Sequence, residues 1–247
     1  MLGAAGMACQ PQAGKRRPPV AEQADPYFAR ARAGTCAKNG QVITDDDFDR
    51  LCRRLYRSLR HGPVDREAAF DLGAGVLASD PSDEKAAMAA TLAVAGDADP
   101  APLAAAAREL LESLAFEPGF DDEPGWLAAL AEALDIVKAD LRACGLPDAV
   151  RLYTWDGSPN AAVDAWAANS TGPGIYPAAG NDPVTALVAV ADDAQDAVMN
   201  SVWGAWPTCP VHSLGVHARE HDGVAVWWCA SAGGHVAAPV GHWPPAR

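Results

Sequence analysis

No stretch of this 247-residue chain approaches the roughly eighteen consecutive apolar positions that a membrane-spanning helix needs, so none is expected. Met1–Gln10 lacks the basic start and long apolar segment of an export signal. Gly6-Met7-Ala8-Cys9 lacks the leucine of a lipoprotein cleavage box, and Arg16-Arg17 runs into Pro18-Pro19 where a twin-arginine signal turns apolar. A cytoplasmic protein with no membrane association is expected. Cysteine is thinly spread, at Cys9, Cys36, Cys52, Cys144, Cys209 and Cys229, in a chain long enough to bury a core without staples. A secreted disulfide framework is therefore not expected. Lysine is scarce, four against fifteen arginines, a bias of GC-rich coding from which no function follows.

The short motifs of catalysis are missing too. There is no Gly-x-Ser-x-Gly elbow and no His-Glu-x-x-His. Gly73-Ala74-Gly75 has no strand–turn–helix context for holding phosphate. Asp156 and Asp164 fall beside an expected turn and strand and do not form a catalytic pair. Asn169-Ser170-Thr171 is a glycosylation sequon without a role in the cytoplasm. The absences favour a non-enzymatic protein.

Acidic charge is abundant but unevenly placed. The net charge is −13: residues 1–67 carry a balance of +4 and residues 68–247 a balance of −17. An acidic body opposes nucleic-acid binding, which rests on neutralising phosphates, and admits a basic partner. The arginines of the stretch 45–61 are accounted for by the helix dipole and by intrahelical pairs with the preceding aspartates.

Residues 1–43, rich in Gly, Pro, Gln and Ala, are expected to be a disordered leader. From Thr44, an N-cap followed by Asp45-Asp46-Asp47, apolar residues recur at helical spacing until Gly62-Pro63. Further helices are expected over 64–78, from Asp80-Pro81 to about Ala95, from Asp99-Pro100 to near Ala115, and from Pro124 to about Leu141. Together, 44–147 reads as a helical bundle. Leu77-Ala-Ser-Asp-Pro81 resembles the end of a tetratricopeptide unit, but no fixed period follows.

After Pro147 the pattern becomes α+β. Strands are expected over 150–155 and 162–168, then a loop over 169–182, and then a helix opened by Asp182-Pro183 that ends before Trp206-Pro207. The fold expected is α+β: a bundle, then an α+β part over 148–247 that ends in a β-hairpin or meander over 206–243.

Five of the six histidines and two of the cysteines lie after residue 208. Cys209-Pro210-Val211-His212 has the Cys-x2-His spacing that turns two ligands toward one ion. A hairpin around Asp222-Gly223 would return Cys229 toward His212, and His235 follows the flexible Gly233-Gly234. Cys209, His212, Cys229 and His235 are the candidate ligands of a structural zinc ion. The layout is similar to a zinc ribbon, except that its second knuckle is Cys-x5-His. His217 should face away from Cys229 on strand parity, and His221 and His242 should be solvated. The competing reading is a metal-free apolar core built from Trp203, Trp206, Trp227, Trp228 and Trp243. Cys209 and His212 as nucleophile and base lack a third, orienting group.

The segment with Cys-Pro-Val-His, Trp228-Cys229 and Val236-Ala-Ala-Pro-Val-Gly241 resembles the C-terminal part of proteins of high-GC actinobacteria that bring no known activity with them. Three functions are weighed. The first is a protein-interaction module with structural zinc, bound to another protein. The second is a zinc-dependent hydrolase using Cys209, His212 and Cys229, with Glu220 as acid. The third is an acidic antitoxin- or immunity-like binder of a basic partner.

Overall fold

The computed structural model describes residues 37–38, 41–42, 44–96, 99–156 and 158–244. Most of the expected disordered leader lies outside these residues. Within it, β1 (Ala37–Lys38) and β2 (Gln41–Val42) pair antiparallel. Among the described residues there are six α-helices and two further small antiparallel sheets, an α+β fold. No described helix is long and apolar enough to cross a membrane.

Local chemistry sets the helix starts. Helix α1 (Asp45–His61) opens on a capping box in which Thr44 and Asp47 satisfy each other's backbone N–H, with three aspartates in its first turn and Arg60 and His61 in its last. Asp65 caps α2 (Arg66–Ser79) by accepting from Ala68 N. Helix α3 (Glu84–Ala95) starts later than Asp80-Pro81 suggested. The Asp80 carboxylate is occupied by the Ser82 amide and hydroxyl, so Pro81 becomes a turn residue and Asp83 takes the cap. Helices α4 (Ala101–Ser113) and α5 (Pro124–Ala143) each begin at a proline or just after one.

The chain has two apolar cores. The first lies among α1–α4 around Leu55, Leu72, Leu103 and Leu110, with alanines such as Ala69, Ala86 and Ala107 letting the helices approach closely. Helix α5, which the sequence groups with these helices, buries Leu130, Leu134 and Val137 in the second core. There it meets α6 (Pro183–Val202), β4 (Ala161–Asp164) and β6 (Val224–Cys229). The chain changes core between Phe116, packed on the first, and Phe120, packed on the second.

A polar clamp ties α1 across that junction. The buried Asp122 carboxylate accepts from Arg53 at 2.7 Å, Arg57 at 2.9 Å and the Gly119 amide at 3.0 Å. Glu123 accepts from Tyr56 at 2.7 Å and Arg60 at 2.8 Å. Most α1 arginines are thus spent on partners distant in sequence, and only Arg50 pairs within the helix, to Asp47. Pairing with the N-terminal aspartates was expected; helical geometry puts Arg53, Arg57 and Arg60 on the face toward the acidic loop instead. Asp122→Ala should cost about 1–3 kcal/mol, because the Gly119 amide and two half-exposed guanidinium groups lose their acceptor. Chemical denaturation of the whole chain checks it. The Tyr56 hydroxyl first, then Arg60, holds Glu123 below the usual carboxylate range. Its contribution is full above that range and is lost as pH falls through the lowered value.

Strand β3 (Arg151–Thr154) pairs with β4 antiparallel, Leu152 opposite Val163. Strand β4 ends at Asp164, short of the expected Ala168, because the Ala165 amide donates to the Ala168 carbonyl and turns the chain out. Trp166 is left exposed. A 3-10 turn over Pro177–Asn181 occupies part of the expected loop. Asp193 on α6 accepts from the Val163 amide at 2.6 Å and fastens β4, and burial pushes its carboxyl up.

The last sheet is a three-stranded meander: β5 (His217–His221), β6 and β7 (His235–Pro239) in that order. Its outermost anchor is Asp140 of α5, which is fully buried and accepts from Trp227 Nε1 at 2.7 Å, Gly241 N at 2.7 Å and Trp243 N at 2.8 Å.

Candidate metal centre

Each ligand candidate is placed by local backbone bonding. The Cys209 carbonyl accepts from Ser213 N and its amide donates to Leu214 O, each at 2.8 Å, so the chain curls and returns His212 over Cys209. From the buried face of α6, Gln195 donates to Trp206 O at 2.7 Å and Val216 O at 2.5 Å, gripping both ends of this loop. Gln195→Ala should cost about 1–3 kcal/mol with the metal stoichiometry unchanged, read by denaturation beside elemental analysis.

The expected hairpin forms. His221 pairs with Val224 across Asp222 and Gly223, whose φ values of 52° and 75° are those of a two-residue primed turn. This brings Cys229 back as the last residue of β6. The fourth ligand, doubtful from its Cys-x5-His spacing, is placed by β7. In the β6–β7 ladder Cys229 stands directly opposite His235. The intervening chain turns through Gly233 and Gly234, both at positive φ, and a Cβ on Gly234 would lie 2.5 Å from the Trp228 ring. Gly234→Ala should therefore loosen the site by displacing His235. The measurement is competition with a chromophoric chelator, and a fall in metal affinity is expected.

The ligand atoms of Cys209, His212, Cys229 and His235 all lie within 4.8 Å of one another. Cys209 Sγ is 3.6 Å from His212 Nδ1 and 3.5 Å from His235 Nε2, and Cys229 Sγ is 3.6 Å from His212 Nδ1. In a tetrahedral site with Zn–S of about 2.3 Å and Zn–N of about 2.0–2.1 Å, each sulfur stands about 3.5 Å from each nitrogen. The three separations therefore fit a common ion. Both cysteines are buried in the second core, His235 is half-buried and His212 is exposed. Hydrogen bonds from Ser231, side chain then backbone, bring the Cys229 thiol down to about 7, favouring the thiolate a metal needs. Two thiolates and two neutral imidazoles would neutralise a divalent cation, and this soft S2N2 set suits zinc.

The other histidines stay out of the cluster. His217 pairs with Trp228 and is exposed, on the face opposite Cys229 as parity requires. His221 lies against Trp228 with ring centroids 5.0 Å apart, and His242 is exposed. Glu220 stands opposite Ala225, four strand positions from Cys229 and so about 13 Å along the strand. The apolar core and the ligand cluster are not alternatives. Trp206 and Trp227 are buried and packed edge to face, Trp243 meets Trp227, and the cysteines sit at the rim of the same core. Trp203, expected in that core, is 93% exposed, because it follows α6 in a left-handed conformation that turns its ring outward.

Asp140 and Gln195 were not singled out in the sequence. Each is a polar residue on the apolar stripe of its helix, a signal that something buried must satisfy it. Comparison with family models, with curated proteins and with solved structures finds no match, so the assignment of this site rests on its own geometry.

Proposed function

We propose that the chain is a cytoplasmic, non-enzymatic protein-interaction module whose C-terminal β module is locked by a structural zinc ion on Cys209, His212, Cys229 and His235. The carrying observation is the set of sulfur–nitrogen separations of 3.5 and 3.6 Å. Bound there, zinc would supply a cross-link between the loop after α6 and the β6–β7 hairpin, beside the Trp206–Trp227 contact that already joins them. Four protein ligands leave no position for a water, and Glu220 is too far away to serve as an acid, which speaks against a hydrolase. The helical part is then a scaffold, and the meander with its neighbouring loops is the recognition surface. The actinobacterial resemblance covers this same meander and adds no activity to it.

The test is elemental analysis of the purified full chain, followed by cobalt substitution. One zinc per chain, with a cobalt spectrum showing tetrahedral coordination and thiolate charge transfer, is expected. A chain that takes up neither metal, or cobalt that keeps an exchangeable water, ends this reading. The acidic body over 68–247 favours one further arm, binding to a basic partner that weakens as salt rises.

A further inference from the structure

The cysteines among the described residues fall into two kinds. Cys52 is buried in the first core, and burial pushes its thiol up to about 12. Cys144 follows α5, and burial pushes its thiol up as well. A thiol that keeps its proton is a poor nucleophile. Cys209 and Cys229 differ because they stand together, their sulfurs within 4.8 Å of each other. Both also lie 3.6 Å from the same atom, Nδ1 of His212, and His212 is exposed. One solvent-facing imidazole is thus packed on both buried sulfurs, so a swing of that ring opens them together.

The two cysteines are also held unequally. Cys229 is fixed as the last residue of β6, opposite His235 in the ladder. Cys209 sits on the loop after α6, outside any helix or strand. Two sulfurs on one tetrahedral zinc stand about 3.8 Å apart, and a disulfide closes that to about 2.05 Å. The loop-borne sulfur therefore has about 2 Å to travel, the scale of a side-chain rotation. Both thiolates of the S2N2 set are in this one pair. A single disulfide would leave only two neutral imidazoles, which carry no charge to offset a divalent cation.

We infer that Cys209 and Cys229 form a peroxide-driven switch, in which one disulfide between them ejects the zinc ion. The switch rests on the structural-zinc reading and gives that site its regulation. One thiolate attacks a peroxide oxygen, the O–O bond breaks and hydroxide leaves, giving a sulfenic acid. The second thiolate attacks that sulfur, the S–O bond breaks as the S–S bond forms, and a second hydroxide leaves. The two sulfurs lose two electrons, the peroxide gains them, and the two hydroxides balance the charge of the released cation. The disulfide keeps the loop after α6 joined to β6. It frees His235, so the chain between β6 and β7 loses its tether, while Asp140 still holds Gly241 and Trp243 beyond it.

Hydrogen peroxide titrated into the zinc-loaded full chain tests it, with a chromophoric chelator reporting free zinc and non-reducing peptide mapping reporting disulfides. Near-complete loss of zinc is expected, in step with loss of two thiols and with one cross-linked peptide joining Cys209 to Cys229. A dithiol with added zinc should restore both thiols and metal. Cys144→Ser, outside the cluster, should leave the release unchanged. Amide exchange should rise over 230–234, between β6 and β7, and stay level over β5. Zinc missing from protein purified under reductant overturns the metal reading and the switch with it. Zinc that stays bound while peroxide consumes thiols overturns the switch alone. So does zinc released with separate sulfinic acids at Cys209 and Cys229, or with a disulfide that runs to any other cysteine.

Discussion

Cys229→Ala will release the metal and loosen the whole C-terminal meander, with a loss of stability above about 4 kcal/mol. The size follows from what a shared ion would join. Cys209 is on a loop after α6, Cys229 ends β6 and His235 begins β7, so removing one thiolate unties three segments together. The aromatic core around Trp227 remains, so the variant should keep its helices and lose the cooperativity of the last transition. A chelator acting on the wild-type chain should reproduce the effect, and zinc should not rescue the variant. Acid should weaken binding as well, because protons compete for both thiolates and both imidazoles. Parallel melts followed by far-ultraviolet dichroism, with bound zinc assayed at each pH, are the measurement. Equal melting temperatures with and without chelator would mean that the four side chains converge for another reason.

Asp140→Ala should be nearly as damaging, at about 3–5 kcal/mol. It strands three donors at once, the Trp227 indole and the amides of Gly241 and Trp243, and a buried donor without a partner costs about 1–3 kcal/mol. Asp140→Asn should recover only part of that. Its single carbonyl oxygen cannot serve three donors, and its own amide would face one of them. Since Trp227 is two residues before Cys229 on β6, the alanine variant should also bind zinc less tightly while keeping one ion per chain. Denaturant titration of both variants, with and without chelator, separates the two losses. A Asp140→Ala chain as stable as the wild type would mean that the donors find water.

Much of the fold was legible because its signals are local. Thr44 with Asp47, and Asp182 with Pro183, announce α1 and α6 through groups a turn apart. Asp222-Gly223 sets the hairpin because only two residues must adopt left-handed backbone. Asp80-Pro81 misled because Asp83 is an equally good cap three residues on, and Ser82 had already engaged Asp80. The site divides in the same way. Cys209 and His212 are legible as a knuckle from spacing alone, whereas His235 is settled by strand pairing across a five-residue loop.

By itself, the sequence determined the order of the six α-helices and of β3 to β6, and the four side chains able to hold an ion, since caps, turns and knuckles act over a few residues. Only the tertiary structure decided which core α5 joins, where the arginines of α1 find their carboxylates, and that Asp140 and Gln195 brace the C-terminal meander and the loop before it. The partners in those contacts lie 11 to 103 residues apart in the chain. Nothing in a local pattern of apolar and polar residues records such meetings, because they exist only after the helices have packed.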